Sequence, residues 1–143
     1  MADSKREAIM KRIATVLAAT DGVDGRIYRS DPEAVDRDNH PCVLLRWTNE
    51  QASPDTVMQT ERTLVVEVSI LVRGDTPDTL VDPIAQSVHE LIMADAQLNG
   101  LAIDTSFGDA RFEVTSADET AGKLTHEYLV KFRHNYENMA DPI

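Results

Sequence analysis

Apolar residues occupy every second position from Leu64 to Val72, so that Leu64, Val66, Val68, Ile70 and Val72 fall on one side of an extended chain. This period of two predicts a long β-strand over 60–73, and its Val and Ile suit a pleated surface. The alternate positions Val65, Glu67, Ser69, Leu71 and Arg73 are mixed, which predicts a second face that meets water or another subunit. Just upstream, Pro41–Trp47 is apolar apart from Arg46 and short enough to be a strand packed on both faces. The polar stretch Thr48–Gln59, with Pro54-Asp55 near its middle, reads as the long loop of a hairpin joining these two strands. Near the end of the chain, Leu124, His126, Tyr128, Val130, Phe132 and Tyr136 alternate with mostly polar residues. A turn at Asp118–Gly122 joins them to Ala110–Thr115 in a second hairpin.

Two stretches follow the helical period instead. Ile9, Ile13, Val16 and Leu17 share one face, with Asp3 or Ser4 able to cap the first turn and Asp21-Gly22 suited to end the helix. Val81, Ile84, Ala85, Val88, Leu91 and Ile92 form a second stripe ending near Ala94. Two starts fit it: Thr76 as cap with Pro77 in the first turn, or Asp82 as cap before Pro83, because a proline deeper in a helix removes a hydrogen bond. Val23–Tyr28 reads as a short strand, Arg29–His40 as loop, Asn99-Gly100 as a left-handed turn and Asn138–Ile143 as a frayed tail. The order predicts one α+β domain over 1–143: a largely antiparallel sheet of four to five strands with two helices packed on one face.

Charge narrows the functions open to such a domain. Twenty-five acidic against fourteen basic side chains give a net charge of −11, scattered along the chain. A surface of that sign does not attract phosphate, so nucleic-acid binding is not expected. Charges interrupt every apolar run near the N-terminus, so neither export nor membrane insertion is expected. The lone cysteine, Cys42, cannot form an internal disulfide and reads as a small buried hydrophobe.

Catalytic patterns fail one by one. His89-Glu90 begins a zinc-protease motif, but its second histidine position is Met93. His126 and His134 lie on one strand face roughly 26 Å apart, too far to grip one ion. No serine sits in a nucleophile elbow, and Gly122-Lys123 lacks the upstream glycine of a phosphate loop. The sequence thus nominates no catalytic residue, metal ligand or cofactor site, and an enzyme is not expected.

The segments REAIMKRIATVLA, HPCVLLRW, ERTLVVEVSILVRG, DPIAQSVHELIMADAQLNGLA and HEYLVKFRHNYEN, taken in order, give the chain a familiar texture. It resembles the tail terminator and tail-completion proteins of long-tailed bacteriophages, the group that includes the lambda-type minor tail protein U. The resemblance covers nearly the whole chain and rests on order, length and texture, with no invariant motif. It implies a structural virion protein, made in the host cytoplasm and located in the tail at the head–tail junction. There it would form a hexameric ring on the tail tube, stop tube growth and meet the head connector protein. Under that implication the candidate interface residues are Arg46, Gln51, Val57, Met58, Arg62, Arg73, Lys131 and Arg133. The basic ones flank the strands and can offset the net charge, while Val57 and Met58 offer apolar atoms to a neighbour. Two other classes stay open: a different ring-forming head–tail joining or tail-tube subunit, and a small-molecule-binding domain or enzyme, which would need a polar-lined cavity.

Overall fold

The computed structural model describes residues 3–29, 41–52, 59–115, 120–135 and 137–139. Helix α1 (Lys5–Leu17) starts where the Ser4 side chain accepts a hydrogen bond from the Glu7 amide at 3.1 Å, which satisfies one orphan donor of the first turn. It buries Ile9, Met10, Ile13 and Leu17; Met10 takes the core place expected of Val16, which is half-buried. Gly22, Asp24 and Gly25 then adopt positive φ and turn the chain into strand β1 (Ile27–Arg29). Strands β2 (Cys42–Ala52) and β3 (Gln59–Arg73), helix α2 (Pro77–Ala94), a 3₁₀ turn at Leu98–Gly100, and strands β4 (Asp104–Thr115) and β5 (Ala121–Asn135) follow. The five-stranded sheet runs β1-β2-β3-β5-β4, with β1 parallel to β2 and every other pair antiparallel. The expected α+β architecture is therefore the observed one.

The long strand sits at the centre of this sheet. Leu64, Val66, Val68, Ile70 and Val72 are at most 2% exposed and share one core with the buried stripes of α1 and α2, so both helices cover the same face. Burial of each such side chain is worth roughly 1.5–3 kcal/mol. The opposite face departs from expectation, because Val65, Glu67 and Ser69 are buried rather than wet. Their cover includes neighbouring strand side chains: Arg46 and Arg111 reach over Glu67, and the Ser69 hydroxyl bonds that of Thr125 at 2.9 Å.

The structure decides between the two starts read for the second helix and moves several strand boundaries. Helix α2 begins at Pro77, and Pro83 lies inside it on the exposed side; the buried stripe Val81, Ile84, Ala85, Val88 and Ile92 carries the helix past the missing bond. Thr48–Ala52, expected as loop, belong to β2 and pair with β3 beyond a bulge at Trp47/Asn49, and Gln59 already begins β3; residues 53–58 lie outside the described residues. Thr48, Asn49, Gln51 and Ala52 are exposed and Glu50 is half-buried, so nothing in this stretch shows the apolar alternation of a half-buried strand. Strand β4 starts at Asp104 rather than Ala110, with a bulge between Phe107 and Ala110, and Ala121 and Gly122 are already strand rather than turn. The expected frayed tail is held at its start, where the Met139 carbonyl accepts from the Lys5 amide at 2.8 Å. Cys42 is fully buried as expected, and burial pushes its thiol up to about 11. Tyr136, read as part of the closing strand, and residues 30–40 and 140–143, read as loop and tail, lie outside the described residues.

Candidate assembly surfaces

On the face away from the helices, one carboxylate is clamped by two guanidinium groups drawn from different strands. Arg46 on β2 donates from Nε and Nη2 to Glu67 Oε1 at 3.0 and 2.9 Å, and Arg111 on β4 donates to Glu67 Oε2 at 2.9 Å. The Glu67 side chain is only 8% exposed while the two arginines are about half exposed. Burial alone would raise the Glu67 pKa, but the hydrogen bonds and charges of Arg111 and Arg46 outweigh it and hold the carboxyl below its usual range. The clamp ties the β2 side of the sheet to its β4 edge.

Register places Arg46, Gln51, Arg73, Lys131 and Arg133 on this same face. Arg133 pairs with Glu61 at 3.3 Å, and Gln51 and Lys131 are exposed. The Arg73 Nε is buried with no hydrogen-bond partner among the described residues. Arg62 stands apart: it is opposite Phe132 on the helix-covered face, 3.9 Å from Glu50. Val57 and Met58 lie outside the described residues.

The helix-covered face holds a second constellation, at the β4 edge, that sequence reasoning did not find. The Tyr128 hydroxyl lies 3.0 Å from His89 Nδ1 on α2 and 3.5 Å from His126 Nδ1 on its own strand. Phe107 tilts against both imidazoles with ring centroids 4.8 Å apart. Burial, with a smaller contribution from His89, lowers the His126 pKa, and burial raises that of Tyr128, so the hydroxyl keeps its proton. Beside the rings runs a groove of about 290 Å³, lined by Asp82, Ala85, His89, Glu90, Leu124 and His126 among others. Phe107, Phe112 and Val114 of β4 stay exposed along this edge. His89, read from the sequence as a surface or interface residue, is thus half-buried and bonded to the core tyrosine. The bulge hid this edge, because one extra residue puts Phe107 and Phe112, an odd number of positions apart, on the same face. Among the described residues, no group of three His, Cys, Asp or Glu side chains is placed to hold a metal ion, and no helix is long and apolar enough to cross a membrane.

At the opposite edge of the sheet, Trp47 is 40% exposed with the Arg6 guanidinium 4.6 Å above its ring. Arg6 also bridges Glu50 at 3.1 Å. The sequence offered one signal here, that this is the chain's single tryptophan.

No protein-family model matches the chain, and neither does any curated protein. Among solved structures, the chain is similar to one in the virion of a native gene transfer agent particle, with a TM-score of 0.57 and 12% identity over 90% of this chain and 93% of that one. The likeness is one of fold. It covers both chains almost end to end, so neither carries a large element that the other lacks.

Proposed function

We propose that this protein is a structural virion subunit, a tail terminator. In this reading it closes into a hexameric ring on the head-proximal end of a phage tail tube, stops tube polymerisation and presents a surface to the head connector. The observation that carries the reading is the fold shared, across nearly the whole of both chains, with a chain of a gene transfer agent virion. The element order is the one read from the sequence segments that carry the resemblance to tail terminators, and among the described residues both sheet edges expose apolar side chains, Trp47 on one and Phe107, Phe112 and Val114 on the other. A subunit of this kind acts by shape and contact, so it needs no catalytic group.

A terminator controls length, and that is how the reading is tested. Particles assembled without the protein should carry tail tubes of uncontrolled length that fail to join heads. Electron microscopy of complete particles should place the protein in one ring between tube and connector. Normal tail lengths in its absence, or density for it elsewhere, would overturn the assignment.

A further inference from the structure

The two exposed aromatic corners occupy one level of the sheet. Trp47 pairs with Val66, Val66 with Tyr128 and Tyr128 with Phe107, so a single cross-strand row runs from Trp47 at one edge to Phe107 at the other. Both end residues lie on the helix-covered face, and they are 40% and 44% exposed. Among the described residues, backbone is open at both ends of the row as well. Among the described residues, β1 pairs only with Val43, Leu44 and Leu45 of β2, leaving the Trp47 segment unpaired on that side, and β4 pairs with β5 alone. Exposed strand edges of this kind are templates for pairing with another chain.

Charge distinguishes the two corners. Among the described residues, the groove beside Phe107 is lined by the carboxylates Asp82 and Glu90 and by no lysine or arginine, whereas Trp47 carries a guanidinium on its ring. At the Trp47 corner, Arg6 and Arg62 outnumber Glu50, their shared partner, by one charge. A cation-bearing aromatic at one edge and an acidic, apolar groove at the same level of the other edge are complementary when sheets meet edge to edge in the same orientation. That repeat is a head-to-tail contact, the type that closes into rings.

We propose that the occupant of the groove is a second copy of this chain. Trp47, with Arg6 stacked on it, seats against Phe107 and the His89–His126 wall of the next subunit, with Asp82 and Glu90 facing the incoming cation. The proposal deepens the ring reading and rests on it.

Photo-crosslinking tests the contact directly. Full-length protein with Trp47→p-benzoylphenylalanine is irradiated both as concentrated solution and within assembled particles, using mixed light and heavy isotope-labelled copies to separate links between chains from links within one. Links between copies that map to residues 82–90, 107–112 or 124–128 are the expected result. Adding Glu90→Lys, which turns the joint repulsive, should lower their yield roughly tenfold or more. Links to another part of a neighbouring copy, links to a different virion protein, or no link in either preparation would each overturn the contact. The outcomes also separate the two readings. Links at the groove from a protein imaged away from the head–tail junction would sink the terminator assignment alone, and the correct location with links elsewhere would sink this contact alone.

Discussion

Glu67 shows how one side chain decides the character of a whole sheet face. Its position in a long alternating strand reads as solvent-facing, yet it is buried because Arg46 and Arg111 converge on it from strands on either side. Replacing it as Glu67→Gln leaves two guanidinium groups without their anion and should cost about 1–3 kcal/mol at neutral pH, measured by urea denaturation. The sign of its pH dependence follows from the depressed folded pKa. The stabilisation is fully present above the unfolded glutamate value, about 4.3, and is lost as pH falls through the lower folded value. Parent and Glu67→Gln stabilities should therefore converge in acid; a constant gap down to low pH would show that the clamp is not electrostatic. The neighbouring positions separate the two faces. Ile70→Asp sets an unpaired carboxylate in the dry core at a cost of several kcal/mol against a total of about 5–15, and should unfold the domain. Ser69→Ala removes one hydroxyl partner of the buried Thr125 and should cost only about 1 kcal/mol. A folded Ile70→Asp with an unchanged melting midpoint would mean that the core lies elsewhere.

At the scale of elements, what was legible is what obeys a period. The central strand, both helical stripes and the closing strand were readable because one face of each is dry, and burial of one face is what writes alternation into a sequence. The edge segments were not. Thr48–Gln51 are polar because, among the described residues, this end of β2 runs past its pairing with β1 and shows most of its side chains to water, and Asp104–Ala110 lose their period at the bulge. The candidate surfaces inherit this asymmetry: Arg46 and the other strand-flanking basic residues could be nominated, but Phe107 and the His89–Tyr128–His126 cluster depend on a bulge and a helix crossing that no local pattern records. Where strand and helix meet, close approach sets its own demand. A Cβ at Gly122 would stand 2.6 Å from the Pro77 Cβ and 3.0 Å from the Phe112 ring, so the start of α2, the start of β5 and β4 are joined at a point only glycine fits. Gly122→Ala should destabilise the domain by about 1–3 kcal/mol through this overpacking. A thermal melt identical to the parent's would show that Pro77 and Phe112 can give way freely.

For the whole molecule, assembly must be reconciled with a net charge of −11 on every subunit. Repulsion between whole subunits acts over tens of ångströms, whereas the contact argued for Trp47 and the acidic groove is short-ranged and largely apolar. Salt separates these two effects. The screening length falls from about 30 Å at 0.01 M to about 8 Å at 0.15 M, which suppresses repulsion between subunit centres while leaving a packed joint nearly untouched. Association should therefore strengthen as ionic strength rises over that range, and protein held on purified particles should be shed on dilution into low salt. Sedimentation of the isolated chain and of particles at the two ionic strengths measures both effects. The opposite trend, a steady weakening with added salt, would show that ion pairs across the joint, Arg6 with Asp82 and Glu90 among them, outweigh the repulsion between whole subunits.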